Sequence, residues 1–266
     1  MSLIQLFTRS RWLRIGIVVL VIAVIYTRRG RTEKTDDARA VSNPIALAST
    51  NNDRILSAGF VIMDRVFNSE LMAPYDVLHH SIFRNENEYI EPFIVSEDGL
   101  PLTSFEGITI MPHFSFDNAP DIDILVIPST HGSMTTDLEN EPFVTWLHEA
   151  VETAKYVITL CDGAFPLAAT GELNGRTATT FPGDRQAFAD AFPDVHVRFD
   201  ARFVQDGKFI TSVGGGMSYE PALYLVELLY GKEHADQTAK GLVWDWDVND
   251  VPHVVISDTE FRPISD

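Results

Sequence analysis

Lys155-Tyr156-Val157-Ile158-Thr159-Leu160-Cys161-Asp162-Gly163-Ala164-Phe165-Pro166-Leu167-Ala168-Ala169-Thr170-Gly171 decides the fold. Its first six residues read as a buried strand. Cys161 to Ala164 form a tight turn, and Phe165 to Gly171 a short helix. Such an elbow pushes its turn side chain out at the carboxyl edge of a sheet, beside a helix N-terminus. Unpaired N–H groups and the helix dipole there favour a thiolate. Gly163 lets the backbone crowd into the turn. Cys161 is the only cysteine in 266 residues. Two readings follow, a nucleophile at the elbow or a buried structural thiol.

Working outward, strands and helices alternate. Arg54 to Met63 reads as a first strand, Glu70 to Phe83 as a helix and Tyr89 to Val95 as a second strand. Leu100 to Ile110 reads as a hairpin around Glu106-Gly107. Ile122 to Ile127 is nearly all apolar, as in a sheet covered on both faces. Phe143 to Ala154 is a helix leading to the elbow strand. Phe203 to Ile210 reads as a hairpin with an Asp206-Gly207 turn. Ser212-Val213-Gly214-Gly215-Gly216 leads into a helix from Ser218 to Tyr230, closed by Gly231. The expected fold is α/β, a doubly wound, mostly parallel sheet sandwiched by helices, with its site at the carboxyl ends of the strands.

Charge divides the chain. Residues 1–31 hold six arginines and no acid, so residues 32–266 carry −24 against −18 for the whole. A body that acidic repels phosphate backbones, and no nucleic-acid partner is expected. A single cysteine excludes an intramolecular disulfide and a cysteine-based zinc site. The histidines show no ligand spacing, so neither metal nor cofactor is expected.

Ile15 to Tyr26 carries no charge, and Trp12, Arg14, Tyr26 and Arg28 bracket it. With snorkelling arginines and interfacial aromatics the segment approaches the length of a membrane span. Thr27-Arg28-Arg29-Gly30-Arg31 follows where a signal peptide would be cleaved, so an uncleaved single-pass N-terminal membrane helix is expected rather than a signal. Basic residues flank both ends and leave its orientation open. The expected domains are a membrane anchor over 1–31, a polar linker over 32–53, the α/β domain over 54–245 and a C-terminal tail over 246–266.

Three segments resemble the ThiJ/PfpI superfamily, which has a class I glutamine amidotransferase-like, flavodoxin-like fold. Glu70-Leu71-Met72-Ala73-Pro74-Tyr75-Asp76-Val77 is similar to its acid-x-x-x-Pro helix start. Ile158 to Phe165 is similar to its nucleophile elbow, closest to the isonitrile-hydratase branch. Thr211 to Gly216, through Ala222 to Glu227, is similar to its glycine loop and following helix. The resemblance implies that Cys161 is the nucleophile and that Glu70 hydrogen-bonds its sulfur and manages its proton. It implies an oxyanion hole from the N–H groups of Thr130, in Pro128-Ser129-Thr130, and of Asp162. It also implies a small-molecule substrate and a homodimer.

The departures bear on activity. Thr179-Thr180 is followed by Phe181, where the family often has histidine, so a Cys-His pair is impossible at the usual place. Cys161-Asp162 replaces the Cys-His of the protease-like branch, which disfavours peptidase activity. His131 is an auxiliary candidate that could bring an imidazole from the other side, unless it is simply an exposed loop residue. The resulting expectation is a cysteine-dependent hydratase or hydrolase acting on an electrophilic carbon, an isonitrile or a reactive carbonyl. The alternative is a membrane-tethered, non-catalytic sensor or ligand-binding domain of the same fold.

Overall fold

The computed structural model describes residues 55–256. The expected anchor, 1–31, and linker, 32–53, lie outside the described residues, as do residues 257–266. Among the described residues no helix is long and apolar enough to cross a membrane.

The chain runs through β1 (Ile55–Val61), α1 (Asn68–His80), β2 (Tyr89–Ser96), β3 (Leu102–Thr103), β4 (Thr109–Ile110), β5 (Phe114–Ser115) and β6 (Ile124–Ile127). It continues through α2 (Glu141–Thr153), β7 (Tyr156–Leu160), a 3₁₀ turn at Cys161–Gly163, α3 (Ala164–Ala169), β8 (Thr177–Ala178), α4 (Arg185–Ala191) and β9 (His196–Val197). Then come β10 (Phe203–Asp206), β11 (Phe209–Ser212), α5 (Tyr219–Tyr230), α6 (Lys232–Gly241) and β12 (His253–Ile256). One eight-stranded sheet has the order β12-β10-β11-β7-β6-β1-β2-β5. All its pairings are parallel except β10 with β11.

The centre of the sheet explains the apolar runs. Every residue of β6 and β7 is buried. Because side chains alternate along a strand, this requires cover on both faces. Leu56, Ala58 and Phe60 of β1 join Ile124, Val126, Ile158 and Leu160 in one core with Leu71 and Val77 of α1 and Leu225 and Val226 of α5. The alternate residues Leu125 and Val157 are buried too, on the other side. Asn140 caps α2 by accepting the Phe143 N–H at 3.0 Å.

Three local expectations shift. The β10–β11 turn is not Asp206-Gly207: Asp206 pairs with Phe209, leaving Gly207 and Lys208 as the loop. Gly207 takes φ +58°, the position that a two-residue II′-type turn reserves for glycine. Helix α1 starts at Asn68, so Glu70 lies in its first turn and Pro74 inside it. The segment 246–266 is more than a tail, since β12 adds a parallel edge strand beside β10.

Candidate active site

Strands β1, β6, β7 and β11 are mutually parallel, so their carboxyl ends open on one edge of the sheet. Cys161 follows β7 there. The loop Pro128-Ser129-Thr130 follows β6, and Gly214 to Gly216 follow β11. Glu70 enters from α1, the helix after β1.

The elbow is tight for a stated reason. Cys161 has φ +53°, a left-handed backbone that costs an ordinary residue on the order of 1–3 kcal/mol. Its neighbours hold it there. A Cβ on Gly163 would overlap the Ile127 carbonyl oxygen, and one on Gly214 would overlap the Cβ and backbone of Cys161 itself. Both glycines are therefore demanded by close approach, and Gly214 also by φ +70°.

Glu70 is 4% exposed. Its carboxylate accepts the Ser129 N–H at 3.0 Å through Oε2 and the Gly215 N–H at 3.4 Å through Oε1. It therefore ties the β6 and β11 loops together under the elbow. The Cys161 thiol lies against the same carboxyl, close enough to favour its charged form. Burial raises Glu70 from 4.5 to about 7, and its hydrogen bonds only partly offset that. Ser129 Oγ is buried between the two without a hydrogen bond of ordinary geometry, yet close enough to favour the charged form of each.

The expected low-pKa thiolate is not what this environment favours. Burial, then the charges of Glu70 and Asp162, push the Cys161 thiol up. The N-terminal helix effect is weak here, because a 3₁₀ turn intervenes and α3 is only six residues long. Cys161 is buried, so water cannot compensate. The resting site holds a neutral thiol beside a carboxyl that titrates around neutrality. That pair can pass one proton from sulfur to oxygen as the sulfur attacks.

Asp162 presents both its main chain and its side chain. Its N–H lies close enough to the Cys161 sulfur to favour the thiolate. Its Oδ2 accepts from Sγ at 3.8 Å. Its Oδ1 lies 2.9 Å from Thr180 Oγ1, which is also 2.9 Å from the Cys161 carbonyl oxygen. Burial is the main reason the carboxyl rises to about 6.

Thr130 departs from its expected role. Its N–H donates to Ser133 Oγ at 2.8 Å, and its hydroxyl bonds Asp137. The loop is closed on itself, and this amide is not free for an oxyanion. Of the two expected donors, the Asp162 N–H alone faces the sulfur. His131 is exposed. Its ring stacks on Phe105, with centroids 5.6 Å apart. No hydrogen bond joins it to Cys161, Glu70 or Asp162. The residues that sequence reading did not place are Ser129, Gly215 and the Thr180 hydroxyl. Each reaches the site by folding rather than by spacing.

The DJ-1/PfpI family profile matches residues 56–228. The isonitrile hydratase of Pseudomonas putida is 29% identical over 181 residues, covering 68% of this chain and 75% of that one. The HTH-type transcriptional regulator GbdR of Pseudomonas aeruginosa is 23% identical over 197 residues, covering 74% of this chain and 53% of the regulator. Among solved structures, a ThiJ/PfpI family protein from Pseudomonas syringae superposes with a TM-score of 0.65 at 22% identity. It covers 80% of this chain and 84% of its own, and shows the fold alone.

Proposed function

The chain belongs to the DJ-1/PfpI family, and from that premise we propose that it is a cysteine-dependent hydratase- or hydrolase-type enzyme acting on an electrophilic carbon of a small molecule, foremost an isonitrile. The carrying observation is the Cys161–Glu70 pair, a buried thiol set against a carboxyl held at about 7. The similarity to isonitrile hydratase supports the substrate class.

The chemistry balances on these groups. Cys161 adds its sulfur to the terminal carbon of R–N≡C while Glu70 takes the thiol proton and returns it to that carbon, giving the thioimidate Cys–S–CH=N–R. Water adds across C=N. The C–S bond then breaks, releasing the formamide R–NH–CHO and restoring the thiol. Developing charge in this route falls on nitrogen and carbon rather than on a carbonyl oxygen. A site with a single N–H at the sulfur suits it better than it suits peptide hydrolysis, whose tetrahedral oxyanion wants paired donors. Reactive carbonyls are the second substrate class for the same pair.

The alternative reading, a non-catalytic ligand-binding domain, draws on the likeness to a transcriptional regulator and on Phe181 at the position where the family often has histidine. Turnover separates the two. The purified protein should convert a simple isonitrile to its formamide, and Cys161→Ser should abolish conversion. Binding without turnover of isonitriles or methylglyoxal would support the sensor. We also propose that residues 1–31 anchor the domain to a membrane and that the domain pairs as a homodimer. The first rests on the sequence of that segment and is tested by resistance to carbonate extraction. The second rests on the family and is tested by sedimentation.

A further inference from the structure

Thr180 Oγ1 carries one hydrogen yet lies 2.9 Å from two acceptors, the Cys161 carbonyl and Asp162 Oδ1. A carbonyl can only accept. With Asp162 ionised, Thr180 can satisfy only one of them fully; with Asp162 protonated, Thr180 donates to the carbonyl and Asp162 donates to Thr180, so this pocket accommodates the neutral acid. A second carboxyl presses the same way. Asp184, the residue before α4, lies close enough to Asp162 for its charge to favour the protonated form of that carboxyl. On its other side Oδ2 receives the Cys161 sulfur at 3.8 Å.

The geometry points to Asp162 as a second catalytic acid–base group, positioned by Thr180 and Asp184, that does for the substrate nitrogen and the added water what an imidazole would do elsewhere. This rests on the hydration reading. As water attacks the thioimidate carbon, Glu70 takes one water proton and Asp162 gives its own to the nitrogen. As the C–S bond breaks, the hydroxyl proton returns to Asp162 and Glu70 reprotonates the sulfur. Both carboxyls end as they began. Glu70 thus serves the sulfur and Asp162 the leaving product, from opposite sides of one thiol. The titratable groups that bear on Asp162 are Asp184, which raises it, and Cys161, whose hydrogen bond lowers it. Its value of about 6 lets both protonation states be populated near neutrality.

The test uses the full chain with tert-butyl isonitrile. Asp162→Asn keeps the shape and removes the proton donor. It should lower kcat by roughly 10²-fold or more with little change in KM, while the thioimidate accumulates on Cys161 as a mass increase equal to the isonitrile. Thr180→Val should lower kcat and Thr180→Ser should restore it. Asp184→Asn should move the acidic limb of the pH profile to lower pH, because the Asp184 carboxylate raises Asp162. Wild-type turnover by Asp162→Asn, or lost turnover without the adduct, overturns the assignment. If the wild type converts no isonitrile, the hydration reading fails separately. The pH dependence of Cys161 alkylation by iodoacetamide then decides: a profile altered in Asp162→Asn upholds the proton coupling, and an identical one overturns it.

Discussion

Replacing Glu70 by glutamine should stabilise the fold at high pH while removing the proton acceptor. The wild-type carboxyl sits at about 7 in the native state against 4.5 for the same side chain free in water, as in the unfolded chain. Because the folded value is the higher one, the native state holds a proton that the unfolded chain releases between those two pH values. Stability therefore falls as pH rises through that window, and the whole cost is present above about pH 7. At about 1.4 kcal/mol per pH unit, the cost is about 1.4 kcal/mol at about pH 5.5 and about 3 kcal/mol at about pH 8.5. Near-complete burial of Glu70 leaves little solvent screening to discount. Glutamine escapes this cost. It gives up one of two accepted N–H bonds, from Ser129 or Gly215, at about 1 kcal/mol. The variant should match the wild type within about 0.5 kcal/mol at about pH 5.5 and exceed it by about 2 kcal/mol at about pH 8.5. Urea unfolding followed by tryptophan fluorescence at the two pH values measures both differences. A stability difference that does not change with pH would refute the buried, proton-holding Glu70.

The other expectations are read directly. At pH 7 Cys161 should react with iodoacetamide more slowly than free cysteine, whose pKa is about 8.5. A faster reaction would mean that the helix terminus outweighs burial and the two carboxylates. Gly163→Ala should cost about 3 kcal/mol or more, or yield no soluble protein. The added methyl meets backbone at Ile127, which cannot swing aside. Gly214→Ala should fold less stably and lose turnover, since its methyl meets Cys161 itself; wild-type kcat would break the link between that loop and the nucleophile. His131→Ala should change kcat by less than about 2-fold, as expected of a ring stacked on Phe105 at the surface. A loss of 10-fold or more, on the scale of general acid–base catalysis, would return His131 to the site.

Several elements were legible in the sequence because their burial is written into runs of like residues. Tyr156 to Leu160 and Ile124 to Ile127 are apolar almost throughout because both faces of those strands are covered. Helix α5 reads from its apolar periodicity and its Gly231 stop. Helix α6 carries no such pattern. It buries Ala235, Ala239, Thr238 and His234 among lysine, glutamate and glutamine, and small or polar residues give little periodic signal. Strand β12 is an edge strand with half of its residues exposed. Strands β5, β8 and β9 are two residues long, too short to alternate.

The site divides along the same physical line. Cys161, Gly163 and the glycine loop belong to local geometry, which a strand, a turn and a helix specify within a dozen residues. The protonation of that geometry is a tertiary property. The local argument sees a helix N-terminus and expects a thiolate. It cannot see that Glu70, 91 positions earlier, is folded against the sulfur, or that burial strips water from both. Nor can it see that the Thr130 amide is spent on Ser133. Burial and paired acids outweigh a six-residue helix, because desolvation acts on the whole charge while the dipole offers a fraction of one. The elbow therefore places the nucleophile, while the carboxyls on either side of it decide when that nucleophile is charged.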